Sequence, residues 1–463
     1  MGLFGRRRWL KGRHRGLVLS PKYRLSAEES FKNLILMAPS GFGKTTRYVI
    51  PNLLELEGSA VVTDPSGEIY RATSGELARR GFAIQVLQPA APGSSLRFNP
   101  LHYFRSDTEL RRLATVLAGT AGGDERDAFW RIGATDVLHF GMQAITALPE
   151  AADHTLANLR RLLNVLSAGE QLADGFMARY LNGEAFGEYR AFMGQEEKVK
   201  AAHISTARAA LDLWSDAEVR WFSGRNTVEI GALRARPTVI YLIVPEHKIS
   251  YYGVLLNLFY TACFEYCVQS RDGAAGAGGD LLPVYFFLDE FGNLGRIENF
   301  ASVITTLRKR RCSVSVILQA KAQLDALYGK DAPTIFGGGC GHKLYFSGLE
   351  LETCRDLEAA LGQQTAYDAD TGGGGREERK AAAPLLRHDA IRMLPPEKAI
   401  LISGARRPVL LTMPPFFRVA AWRKATELPA VPHPAGQPEA ESPRSGGVGA
   451  DGRPHFLQAE AAG

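Results

Sequence analysis

The run Ala38, Pro39, Ser40, Gly41, Phe42, Gly43, Lys44, Thr45 and Thr46 is one residue away from the phosphate-loop pattern G-x-x-x-x-G-K-[ST]. Such a loop holds phosphate because successive backbone N–H groups point inward at a helix N-terminus. The flanks supply that context: "NLILMA" reads as a buried strand and "KTTRYVIPNLLE" as a helix. Gly41 and Gly43 let the backbone approach a phosphate with no Cβ in the way. Lys44 is expected on the β- and γ-phosphates, and the Thr45 hydroxyl on Mg2+. The departure is Ala38, in the place of the first glycine. That position shapes the turn and holds no phosphate, so its methyl fits if the backbone there is near β. The expected ligand is ATP with Mg2+, bound by Ala38 through Thr46.

The second half of such a site lies far along the chain. In "PVYFFLDEFGN" five apolar residues, Val284 to Leu288, run directly into Asp289 and Glu290. A buried strand ending in two carboxylates at the C-terminal edge of a sheet faces a phosphate loop. Asp289 is expected to hold Mg2+ through water, and Glu290 to polarise the attacking water as general base. Alone, the pair would read as acids closing a strand; beside the phosphate loop it reads as hydrolytic. A pair this distant from the loop is the pattern of translocating and unwinding ATPases, not of small-molecule kinases. A third strand, "SVSVILQA", ends in Gln319, either a contact for the γ-phosphate or a plain strand-end glutamine. "TLRKRRCS" carries Arg308, Lys309, Arg310 and Arg311, and on a helix Arg308 and Arg311 share a face. The residues alone leave two readings open, an arginine finger for a neighbouring subunit or a solvated basic face.

The elements that must position these residues are legible as short apolar runs bounded by turn residues. They are "NLILMA", "SAVVTD", "AIQVLQP", "TVIYLIVP", "PVYFFLDE", "SVSVILQA", "HKLYFSG" and "KAILISG". Helical patterns separate most of them, which argues for an open α/β sheet of buried parallel strands with helices on both faces. From about Phe104 to Gly224 the strand signals stop. Phe129, Ile132, Val137, Phe140 and Ala144 recur there at helical spacing, and "EEKVKAAHISTARAALDLW" reads likewise. An all-helical domain inserted into the α/β domain follows, with those aromatics in its core. Two glycine-rich stretches, "RDGAAGAGGD" and "DADTGGGGREERK", read as flexible connectors. The 35 residues after Leu428 hold six Pro and six Gly and read as disordered.

The 463 residues suffice for two or three domains, and 45% hydrophobic with 22% charged residues is ordinary globular composition. The net charge of +6 is localised. "MGLFGRRRWLKGRHR" carries five Arg and one Lys; without those six, 49 basic residues face 49 acidic ones. This basic arm either suits nucleic-acid phosphates or anionic lipid, or is a solvated, disordered terminus. Five cysteines show no zinc spacing and read as reduced thiols. "YYGVLLNLFYTACFEYCV" barely reaches membrane-spanning length and contains Asn257 and Glu265, so it reads as a buried helix.

Several stretches together resemble type IV secretion coupling proteins of the TraG/TraD-like class. They are "VIPNLLE", "VVTDPSGEIY", "FNPL", "FLDEFGNLGRI", "ILQAKAQLDALYG" and "LLRHDAIRMLPPEKAILISGARRP", spread from about Gly16 to Phe417. The resemblance implies an α/β, RecA-like P-loop NTPase motor domain with an inserted all-α domain. On this chain that gives a basic arm at 1–15, motor segments at 16–103 and 226–428, an all-α domain at 104–225 and a disordered tail at 429–463. It implies a homo-hexameric ATPase that takes relaxase-bound DNA, single- or double-stranded, or effector proteins to a secretion channel in conjugation. The all-α domain would meet the relaxosome. Arg308 falls where the class places its arginine finger, and Gln319 matches its strand-end glutamine. Most members carry N-terminal transmembrane helices, whereas here the motor begins almost at once. Attachment is therefore expected from a separate anchoring subunit or from the arm, with the chain cytoplasmic and peripheral at the inner face of the inner membrane. The alternatives are a substrate-docking receptor that uses ATP only as a switch, and a cytosolic DNA pump of the FtsK/HerA type. The stretches "DEFGNLGRI" and "LPPEKAILISG" and the helical insert speak against the pump.

Overall fold

The computed structural model describes residues 15–120, 128–168, 171–270, 281–369 and 378–433. The basic arm up to residue 14, the tail from residue 434 and the glycine-rich stretches 271–280 and 370–377 lie outside the described residues. The chain divides into two units, one of Met1–Ile84, Gly231–Tyr241 and Cys267–Val431, the other of Gln85–Ile230, Leu242–Tyr266 and Pro432–Gly463.

The chain opens with an antiparallel hairpin of β1 (Arg15–Ser20) and β2 (Tyr23–Ser26). The main-sheet strands follow as β3 (Leu34–Met37), β4 (Ser59–Asp64), β5 (Ala83–Leu87), β6 (Thr238–Ile243), β7 (Val284–Leu288), β8 (Cys312–Leu318) and β9 (His342–Phe346). A second hairpin, β10 (Gln363–Ala369) and β11 (Glu378–Pro384), precedes β12 (Lys398–Ser403) and β13 (Val409–Thr412). The sheet order is β13-β12-β9-β3-β8-β7-β4-β6-β5. β3 pairs in parallel with β8 and β9, and β7 with β8 and β4. Every residue of β3, β4, β7 and β8 is buried. Successive side chains of a strand point to opposite faces, so such runs are covered on both.

All eight apolar runs lie in this sheet, but not all are parallel. β12, the run "KAILIS", pairs antiparallel with β9 and with β13. Only a short turn joins β12 to β13, and an antiparallel neighbour needs no crossover helix. β13 carried no signal because its burial is interrupted and Pro408 precedes it. Two buried asparagines fix the strands around β3. Asn33, at φ 58, donates to the carbonyls of Ile304 and Gly339 and accepts from Val314 N–H at 2.9 Å. Asn52 exchanges hydrogen bonds with both backbone groups of Val18, tying the first hairpin to the helix that follows the phosphate loop.

The second unit carries the helices Asp107–Thr120, Ala128–Thr146, Leu156–Ala168, Gln171–Tyr180, Gly183–Met193, Glu197–Ala210 and Ala217–Ser223. Asn182 and Asp216 cap two of them, their side chains accepting from Ala185 N–H and Glu218 N–H. Val137, Phe140 and Ala144 are in the core, but Phe129 and Ile132 are 57% and 62% exposed. Helical spacing identifies a face; it does not say where along that face the packing partners stop. "YYGVLLNLFYTACFEYCV" lies in the helix Glu246–Gln269 with Tyr252, Leu255, Phe259 and Cys263 buried. Among the described residues no helix is long and apolar enough to cross a membrane. The five cysteines are buried and none is in a disulfide.

Candidate active site

The central strand β3 delivers the glycine loop, and the C-terminal ends of its neighbours deliver the partners. Ala38 is buried, keeps a negative φ and donates its N–H to the Leu318 carbonyl at 3.0 Å. It simply prolongs the strand, which is why a methyl fits where the loop pattern has glycine. Pro39 and Ser40 lead into Gly41 at φ +80 and Gly43 at φ +81, the left-handed region that glycine enters without strain. A methyl on Gly43 would also lie 2.9 Å from Thr46 Oγ1 and 3.1 Å from Arg47 Nε. The helix then starts at Lys44, with a widened first turn in which Ile50 N–H donates to the Thr45 carbonyl.

Five of the expected chemical residues converge behind this loop. Lys44 Nζ donates to Glu290 Oε1 at 2.6 Å, and both side chains are under 10% exposed. Gln319 Nε2 donates to the other oxygen, Glu290 Oε2, at 3.0 Å. Thr45 Oγ1 donates to Asp289 Oδ2 at 3.4 Å, and Glu290 N–H donates to Asp289 Oδ1 at 3.0 Å. Glu290 is one of four described non-glycine residues with positive φ, at 53°. A left-handed glutamate is strained by about 1–3 kcal/mol, a cost that concentrates at functional sites. The strand registers bring the ends together: Leu288 of β7 lies opposite Val316 of β8, and Met37 of β3 opposite Leu318.

The electrostatics divide the two acids. Burial pushes the Asp289 carboxyl up to about 6; the Lys44 cation opposes this and the Glu290 carboxylate adds to it. Glu290, by contrast, is directly paired. A buried lysine–carboxylate pair with a third hydrogen bond can trade its ammonium to a phosphate without leaving the carboxylate bare, because Gln319 remains.

Arg308 is not part of this cluster. It ends the helix Phe300–Arg308, is exposed, and precedes the start of β8, whereas Gln319 follows its end. Seven strand residues separate the two ends, about 23 Å at ~3.3 Å per residue. Among the described residues Arg308 makes no ion pair.

Three contacts had no signal strong enough to be read. Arg47 donates to the Pro396 carbonyl. Phe42 rests against Gly348, which sits at φ +77 after β9. Asp64 ends β4 two residues beyond the Val62–Phe287 pair, beside the end of β7, with Oδ2 accepting from Tyr70 N–H at 2.8 Å. Burial raises its pKa. "VVTD" showed the strand and its terminal acid, and nothing in the spacing tied that acid to Asp289.

The family model described as type IV secretory system conjugative DNA transfer matches residues 9–443. VirD4 of Rhizobium rhizogenes is 25% identical over 441 residues, covering 92% of this chain and 64% of VirD4. A conjugal transfer protein TraG of Escherichia coli is 23% identical over 410 residues, 81% of this chain and 62% of TraG. The chain thus spans somewhat under two thirds of these relatives. Among solved structures, the bacterial conjugative coupling protein TrwBdeltaN70 in its trigonal form with sulphate superposes with a TM-score of 0.69. It is 16% identical, over 88% of this chain and 91% of that one. TrwB in complex with ADP and Mg2+ gives 0.69 at 15% identity, over 89% and 92%. At such identity the likeness is one of fold: a RecA-like P-loop NTPase domain with an all-α domain.

Proposed function

The chain belongs to the type IV secretory system conjugative DNA transfer family, and from that premise we propose that it is an ATP-hydrolysing coupling protein. It recruits relaxase-bound DNA, effector proteins or both, and drives them to a type IV secretion channel. The observation that carries this reading is the convergence of Lys44, Glu290 and Gln319, with Thr45 on Asp289, behind a loop of two left-handed glycines.

In the proposed cycle the backbone N–H groups of Ser40 to Thr46 hold the phosphates of ATP. Lys44 leaves Glu290 for the phosphates, which frees Glu290 Oε1 to take a proton from the attacking water. Gln319 keeps Glu290 oriented through Oε2. Thr45 and Asp289 would hold Mg2+, which would supply positive charge to the phosphates. Arg308, remote from its own loop, serves the neighbouring subunit of a homo-hexamer. The motor comprises 16–103 and 226–428, and the all-α domain of 104–225 meets the relaxosome. The chain works at the inner face of the inner membrane. TrwB in complex with ADP and Mg2+ supports the choice of nucleotide and metal.

The test is ATP turnover of the purified chain with and without DNA, alongside its mass in solution. DNA-stimulated turnover in a ring supports the motor. Turnover indifferent to DNA, with tight binding of a cargo protein, would replace it by a docking receptor switched by ATP.

A further inference from the structure

Phe42 stands between the two left-handed glycines of the phosphate loop, and the tip of its ring meets Gly348. A Cβ built on Gly348 would lie 2.3 Å from Phe42 Cζ, 2.5 Å from Cε1 and 2.9 Å from Cε2. Carbon atoms in contact sit roughly 3.5–4.0 Å apart, so only bare backbone leaves room for this ring. The φ of +77° at Gly348 is a second reason for glycine. The contact follows from the sheet: β3 and β9 are parallel neighbours, with Met37 opposite Tyr345. The loop leaving β3 and the turn leaving β9 therefore emerge side by side. Gly41, one residue before Phe42, has nothing within 4 Å of where its Cβ would be. Within the loop, Phe42 N–H donates to the Pro39 carbonyl at a long 3.4 Å. The ring ties this part of the loop to the turn that follows β9.

We propose that Gly348 is a positioning residue for nucleotide binding, acting through Phe42. By offering bare backbone to the ring, it sets the direction of the amides from Gly41 to Gly43, which must all face the phosphates. Gly348 itself touches no nucleotide. This rests on the ATP reading above and adds to it a residue some 300 positions downstream of the loop. An amide cradle tolerates little displacement, since a shift of about 1 Å at a site of this kind costs up to 10²-fold.

The experiment measures the Kd of the full chain for a fluorescent, slowly hydrolysed ATP analogue with Mg2+, in a double-mutant cycle of Gly348→Ala and Phe42→Ala. Gly348→Ala in the parent chain should weaken binding about tenfold or more. In the Phe42→Ala background the same change should alter Kd by less than about twofold, because the ring it would strike is gone. Equal losses in both backgrounds would trace the effect to backbone strain and overturn the proposal, as would no loss in the parent. A chain that binds no ATP analogue at all would overturn the ATP reading itself, and a parent that binds while the cycle shows no coupling overturns only this inference. If Gly348→Ala does not fold, Phe42→Trp presses a larger ring on the same glycine without altering its φ. It should weaken binding by a similar factor, and unchanged binding would sink the idea.

Discussion

The two ends of β7 and β8 handle charge in opposite ways. At the C-terminal ends, Asp289, Glu290 and Lys44 are buried, Thr45 and Gln319 are half-buried beside them, and each makes a hydrogen bond within the chain. At the N-terminal ends, Arg308 and Lys309 are exposed, and their turn is held by its main chain. Buried Arg234 donates there to the carbonyls of Leu282 and Arg310, and to Cys312 Sγ at 3.0 Å. Val284 N–H donates to the Arg311 carbonyl at 3.2 Å. One edge is complete within a single chain; the other presents cations on a rigid support. An exposed guanidinium on a turn held in this way is what the finger proposed above requires.

The largest break in this comparison is Lys44→Ala, which should reduce ATP turnover to background. Circular dichroism should show the fold retained, although Glu290 loses its ion-pair partner and stability should fall by about 3 kcal/mol. Undiminished turnover would move the active site away from this loop. Arg308→Ala strikes the opposite edge. It should bind ATP and assemble as the parent does, yet hydrolyse roughly 10³-fold more slowly. Mixing it with Lys44→Ala sharpens the contrast, since a mixed ring contains interfaces that pair an intact Lys44 with an intact Arg308. Activity should partly return. Full DNA-stimulated turnover by Arg308→Ala alone would pass the role to Arg310 or Arg311.

Glu290→Gln is a smaller change within the complete edge. Gln319 has lost a charged acceptor and Lys44 its counter-ion, but the loop is intact. ATP should still bind, with turnover slowed about 10²-fold or more, the usual worth of a general base. A mutant that fails to bind nucleotide would show that Glu290 holds the loop rather than the water.

Most of the complete edge could be read from the sequence, and little of the other. Lys44, Thr45, Asp289, Glu290 and Gln319 are each marked locally: a glycine pattern at a helix start, or a polar residue where an apolar run stops. Parallel strands then bring run-ends together, so a local signal becomes a site. Phe42 with Gly348, and Arg47 with Pro396, are pairings in which at least one partner lies in a loop, and loops carry no period. The antiparallel direction of β12 against β9 was hidden as well, because an apolar run reads the same in either direction and the connection that precedes it sets its orientation. Phe129 and Ile132 lie on the helical face that is buried at Val137 and Phe140, and only packing shows where that burial ends.

The smallest expected effect lies in the acid that burial has weakened. The Asp289 carboxyl is raised from the ordinary aspartate value to about 6, chiefly because it is buried. An acid whose folded pKa is raised holds its proton in the folded chain where the unfolded chain has released it. The stability it lends is therefore full below about pH 3.9 and is lost as pH rises through 6. At pH 8 the folded chain bears a buried carboxylate at a cost of about 3 kcal/mol, from roughly two units at ~1.4 kcal/mol each. Asp289→Asn removes that cost while keeping the shape. The nucleotide-free mutant should be more stable than the parent to urea at pH 8, with the difference shrinking as the pH falls through 6 toward 4. Mg2+ should act in the same direction on the parent, because a cation at the carboxylate replaces the proton. Addition of Mg2+ with nucleotide should raise the parent's unfolding midpoint more at pH 8 than at pH 5, and should do so weakly in Asp289→Asn. A pH-independent difference between mutant and parent would mean that Asp289 is ionised throughout, and that the enclosure of this edge is less dry than its burial implies.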